Sequence, residues 1–75
     1  MSVVVYTKPG CPQCDATKRK LDRSRVPYDS VDVTADPAAR ETVVELGYTA
    51  LPVVVGDDGG HWSGFRPDKL AALAA

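Results

Sequence analysis

Cysteine is scarce in this chain, and so are most residues that build elaborate sites: two cysteines, one histidine, one methionine, one tryptophan and one phenylalanine among 75 residues. Two cysteines and one distant histidine cannot complete the four ligands of a zinc site within a single chain. No apolar run approaches the ~20 residues of a membrane-spanning helix. Neither sign of charge is in excess, because nine Lys and Arg face ten Asp and Glu for a net charge of −1. Such a balance offers no basic field to gather nucleic acid. Repeats and low-complexity stretches are absent. Met1-Ser2 leads straight into an apolar strand, without the basic start and roughly 7 to 15 apolar residues of a secretory leader. These absences predict a cytoplasmic protein that engages neither nucleic acid nor bilayer.

What is present suffices for one small domain covering residues 1–75. The hydrophobic share of 44% and charged share of 25% are ordinary for a folded domain. At this length roughly 60% of the unfolded chain's surface can be buried, so stability is modest.

Both cysteines fall in one motif, Cys11-Pro12-Gln13-Cys14, between an apolar strand and a helical run. A helix N-terminus presents unpaired N–H groups and about half a positive charge, which favours a thiolate at Cys11. Cys11 attacks a target disulfide to form a mixed disulfide; Cys14, one turn behind, attacks Cys11 and releases the reduced target. A purely structural bridge is a weak alternative, since closing so short a ring contributes only about 2 kcal/mol through chain entropy. Asp15 stands where a haem-attachment motif needs histidine. In a reducing compartment a lone CxxC of this kind cycles. Lys8, three residues before Cys11, either adds positive potential that favours the thiolate or is a solvated loop lysine.

The rest of the chain reads β-α-β-α-β-β-α. Val3-Val4-Val5-Tyr6 is a continuous β-branched run closed by Pro9-Gly10, the pattern of a buried central strand. From Pro12 to about Ser24 the period is helical, with Cys14, Thr17 and Leu21 on an inward face and Cys11 left at the open end. Tyr28 to Val33 alternates as a second strand. Asp36, Pro37 and Gly47 bracket a second helix with Ala39, Val43 and Leu46 as its apolar stripe. Val53–Val55, a Gly-Asp turn and His61–Ser63 form an antiparallel hairpin. Pro67 opens a last helix with Leu70 and Leu73 inward, and Ala74-Ala75 fray at its end. Two helical crossovers joining parallel strands plus a final hairpin give an α/β, thioredoxin-like fold: a four-stranded mixed sheet flanked by three helices. The CxxC then lies beyond the carboxyl end of the first strand.

In that fold Pro52 faces the CxxC, and the backbone of Leu51 can pair with an extended target segment; the sequence leaves the isomer of the Leu51–Pro52 bond open. No carboxylate lies on the first strand, where Val5 sits six residues before Cys11, so no buried acid or base there serves Cys14. Trp62 is either core or, with Phe65, part of a docking patch beside the thiols. His61 takes a solvent-facing strand position with no assigned role. Lys18, Arg19, Lys20 and Arg23 are either a solvated helix face or a basic surface that attracts an acidic partner.

Tyr6-Thr7-Lys8-Pro9, Cys11 to Lys18, Leu51 to Val55, and above all Trp62-Ser63-Gly64-Phe65-Arg66-Pro67-Asp68 resemble the NrdH-type redoxins, glutaredoxin-like electron donors of class Ib ribonucleotide reductase. The resemblance covers nearly the whole chain. It implies Cys11 as attacking thiol, Cys14 as resolving thiol and Pro52 as a cis proline. It also implies a hydrogen-bonded loop from Trp62 to Asp68 near the site, shaping the surface that meets reductase and substrate. Ordinary glutaredoxins hold the amino end of glutathione with an acidic pair where this chain has Arg66-Pro67-Asp68, so glutathione binding should be poor.

The reading is a monomeric dithiol carrier, reduced by thioredoxin reductase with electrons from NADPH, passing them to ribonucleotide reductase. It needs no cofactor, because the thiols carry the electrons. Pro12 between the cysteines is glutaredoxin-like and keeps a glutathione-dependent glutaredoxin as the alternative. A third reading has the cysteines ligate an iron–sulfur cluster or zinc across a dimer.

Overall fold

The structure, a computed structural model, describes residues 3–73. Ala74 and Ala75, expected to fray, lie outside the described residues, as do Met1 and Ser2. The elements are β1 (Val3–Thr7), α1 (Pro12–Arg23), β2 (Tyr28–Asp32), α2 (Pro37–Glu45), β3 (Val53–Val55), β4 (His61–Ser63) and α3 (Pro67–Leu73). The order is the one the sequence predicts. No helix among the described residues is long and apolar enough to cross a membrane.

The sheet runs β2-β1-β3-β4. β1 pairs parallel with β2, whereas β3 is antiparallel to both β1 and β4. Only the first helical crossover therefore joins parallel strands, which corrects the expectation of two. Periodicity reports which side chains face the core. It carries no information on direction for a three-residue run of valines.

Register explains the layers. Val5 stands opposite Val54, and Val54 opposite Trp62, so the three share one face of the sheet. With Val3, Leu21 of α1 and Leu70 of α3 they form the buried core cluster. α1 and α3 thus cover that face. His61, opposite Val55, points to the other face, where it meets Tyr48 just beyond α2.

Local chemistry fixes the helices. Asp36 caps α2, its Oδ1 accepting from the N–H groups of Ala38 and Ala39 at 3.1 and 3.2 Å. At the other end Gly47 has φ +90°, and the N–H groups of Gly47 and Tyr48 donate to the carbonyls of Val44 and Val43, a Schellman closure that requires a left-handed residue. Ala39 and Val43 are buried, while Leu46 stands half-buried at the C-cap. β2 is an edge strand. Its Asp29 and Ser30 are both exposed, so its alternation is less regular than the sequence suggests, and Val33 falls just past its end.

Candidate active site

α1 begins at the first cysteine of the CxxC. Cys11 is its N-cap in extended conformation (φ −108°, ψ 102°), with Pro12 at the first helical position. Cys11 Sγ accepts a hydrogen bond from the Cys14 N–H at 3.2 Å, and the Cys11 carbonyl accepts from Asp15 N–H at 3.1 Å. A thiolate at this position would receive that donor and the helix dipole together. Cys11 and Cys14 are joined as a disulfide with Cα atoms 5.2 Å apart. Cys14, Thr17 and Leu21 form the buried face of α1.

The sequence puts Cys11 at the open end of the helix, yet it is only 6% exposed. The cover is the segment before β3. The Leu51–Pro52 peptide is cis, Pro52 is fully buried, and the Leu51 carbonyl oxygen lies 3.9 Å from Cys11 Sγ. That contact spans 40 residues of sequence, so no reading of α1 alone reveals it.

The 62–68 segment is tied to the same place. Phe65 N–H donates to Gln13 Oε1 at 3.1 Å, linking the middle of the CxxC to the loop. Gly64 N–H donates to the Pro52 carbonyl at 2.8 Å, and Ser63 Oγ donates to the Ala50 carbonyl at 2.8 Å. Gly64 has φ +88°, and a Cβ there would come 3.5 Å from Gln13 Oε1. The positive φ rather than crowding selects glycine. Arg66 donates from Nε and Nη2 to the two carboxylate oxygens of Asp68 at 3.3 and 3.2 Å. That pair holds the Asp68 carboxyl below the usual carboxylate range, the Arg66 hydrogen bond being the main cause. Pro67 opens α3.

Trp62 belongs to the core cluster. Its Nε1 is buried without a hydrogen-bond partner among the described residues, and Lys69 Nζ sits 5.8 Å from the ring centroid. Phe65, 37% exposed, is the aromatic that reaches the surface. Lys8 is exposed, with no hydrogen bond or ion pair among the described residues.

Two features escape the sequence reading. Thr7 ends β1 on the same face as Val5 and is buried with its hydroxyl unpartnered among the described residues. Its parity with Val3 and Val5 is the signal that would have found it, had the strand been carried one residue past Tyr6. Tyr48 OH and His61 Nδ1 lie 2.8 Å apart with their rings edge to face. His61 is exposed as expected, but it braces the segment that leads to Leu51.

The arrangement is a disulfide at a helix N-terminus, overhung by a cis-proline segment and flanked by a braced loop. The family model for Glutaredoxin matches residues 3–62. The glutaredoxin-like protein NrdH of Lactococcus lactis is 40% identical over 72 residues, covering 96% of this chain and 99% of that protein. Its namesake in Salmonella typhimurium is 41% identical over 73 residues, covering 97% and 89%. Among solved structures, the NrdH-redoxin of Escherichia coli, described as glutaredoxin-like with a thioredoxin-like activity profile, superposes with a TM-score of 0.91 at 38% identity. That match covers 97% of this chain and 95% of the other.

Proposed function

This chain belongs to the glutaredoxin family, among its NrdH-type glutaredoxin-like members, and from that premise we propose that it carries electrons from thioredoxin reductase to ribonucleotide reductase. Its general activity is thiol–disulfide exchange at the Cys11–Cys14 pair. The finer assignment, to these two partners, is ours.

Each transfer balances. The Cys11 thiolate attacks one sulfur of the target disulfide, forming a Cys11–target bond and expelling the other target sulfur as a thiolate. Cys14, deprotonated, then attacks Cys11 Sγ, closing the Cys11–Cys14 bond and expelling the second target thiolate. Two electrons leave the carrier and two thiols appear on the target once solvent protonates them. Thioredoxin reductase returns the carrier to the dithiol form with electrons from NADPH. The Leu51 carbonyl lies beside Cys11, which supports a role for this backbone in pairing with an extended target segment.

The observation that carries the choice of reductant is the Arg66–Asp68 pair. Asp68 is paired with the Arg66 guanidinium, whose positive charge offsets the carboxylate's attraction for the ammonium end of glutathione. The Phe65 N–H bond to Gln13 holds this loop against the CxxC, and the Gly64 N–H ties it to the Pro52 carbonyl. We place the carrier in the cytoplasm, as a monomer.

NADPH oxidation with a disulfide substrate decides the matter, run in parallel with thioredoxin reductase and with glutathione plus glutathione reductase. Turnover with thioredoxin reductase alone is expected and leads directly to assay with ribonucleotide reductase. Turnover with glutathione alone would instead make Pro12 the informative residue and the chain a glutathione-dependent glutaredoxin.

A further inference from the structure

Charge is nearly balanced over the whole chain but not along it. Lys8, Lys18, Arg19, Lys20, Arg23 and Arg25 are six of the nine basic residues, whereas the stretch 29–58 holds seven of the ten acidic ones. Among the described residues, Lys18 alone of the six lies within ion-pair distance of an acid, Asp15 at 3.9 Å. Asp15 and Asp22 share α1 with four of these cations, and Asp57 lines the same surface cleft as Arg25, so the imbalance belongs to one stripe of the helix and not to whole faces of the molecule.

The helical period sorts α1 further. Cys14, Thr17 and Leu21 are buried, and the opposite stripe runs Pro12, Ala16, Arg19, Arg23 at spacings of four, three and four. Arg19 and Arg23 are exposed. This stripe starts at the dithiol and descends about 16 Å along the helix axis, at about 1.5 Å per residue. Small apolar side chains come first and cations follow.

We propose that the outer face of α1, through Arg19, Lys20 and Arg23, docks an acidic face of thioredoxin reductase during reduction of the Cys11–Cys14 disulfide. The proposal rests on the carrier reading above. Length and position argue for a folded partner: an extended target segment at Leu51 meets only the top of the molecule, whereas a protein surface reaching Cys11 from the α1 side lies against the cations as well. Complementary charge raises the encounter rate and fixes orientation. α2, which carries Glu41 and Glu45 beside a single Arg40 and is capped by Asp36, would repel the same face.

The test compares the double variant Arg19→Glu/Arg23→Glu with Arg40→Glu/Lys69→Glu, which changes net charge equally but off α1. Arg19→Gln/Arg23→Gln serves if charge reversal weakens the helix, and circular dichroism checks that each variant folds. Expected is a fall of about tenfold in kcat/KM with thioredoxin reductase for the α1 variant, carried by KM, and a small change for the other pair. The wild-type rate should also drop as salt rises from about 10 mM to 0.15 M, where the screening length shrinks from about 30 to 8 Å, and the α1 variant should lose most of that dependence. Reduction of a small neutral disulfide by the pre-reduced protein should be unchanged in all variants. Equal losses in both double variants, or a salt-insensitive wild type, would overturn the docking face. A wild type that thioredoxin reductase does not reduce at all would instead refute the carrier reading.

Discussion

Cys11 caps α1 and, in the proposed exchange, its sulfur changes partners, and substitution can separate the two. Serine is a good N-cap, so Cys11→Ser should keep the helix and melting temperature near the wild type while abolishing disulfide reduction. Cys14→Ser should leave Cys11 able to attack but not to be released, and mass spectrometry should find the target bound as a mixed disulfide. Full activity in either variant would refute the assignment of roles. Asp68 gives a prediction in pH. Its folded pKa lies below its unfolded value, so its contribution to stability is present above about pH 4, the unfolded value, and is lost as pH falls through the lower folded value. Carboxyl NMR should show the low midpoint, and Arg66→Ala should move it upward. No upward movement would mean that the hydrogen bonds to Arg66 are not its cause.

At the scale of elements, caps and braces set what can move. Removing the Asp36 carboxylate leaves the Ala38 and Ala39 N–H groups without their acceptor. Asp36→Ala should cost about 1 kcal/mol in urea unfolding. Gln13→Ala removes the acceptor of Phe65 N–H, so amide exchange at Phe65 should accelerate while that of β1 stays slow. Unchanged exchange would show that the loop holds without Gln13. These elements were legible in sequence to different degrees. α2 was bracketed by Asp36, Pro37 and Gly47 because capping is local chemistry, and α1 revealed its buried face because Cys14, Thr17 and Leu21 obey the helical period. β2 was less legible, since an edge strand with few buried side chains leaves a weak alternation. The bond from Gln13 to Phe65 was invisible, because nothing local to either residue records a partner 52 positions away.

Over the whole molecule a single small core carries the fold. Leu21 is fully buried beside Val5, Val54, Trp62 and Leu70, and Leu21→Ala should remove about 2–5 kcal/mol from a total of about 5–15 kcal/mol. Equilibrium denaturation measures this directly; a loss below 1 kcal/mol, roughly, would mean that the core refills the space. The core residues were readable from apolar runs, but the direction of β3 was not, and with it went half of the expected crossover topology. The cover on Cys11 was likewise a product of the assembled sheet, which brings Leu51 beside the helix start. A transplanted motif makes the difference concrete. Four residues, Cys11 to Cys14, carry the reactive chemistry and can be grafted onto another helix. The cover over Cys11 and the loop bound to Gln13 cannot travel with them, because their parts come from residues 51 and 65, and they are inherited only by a chain that folds entire.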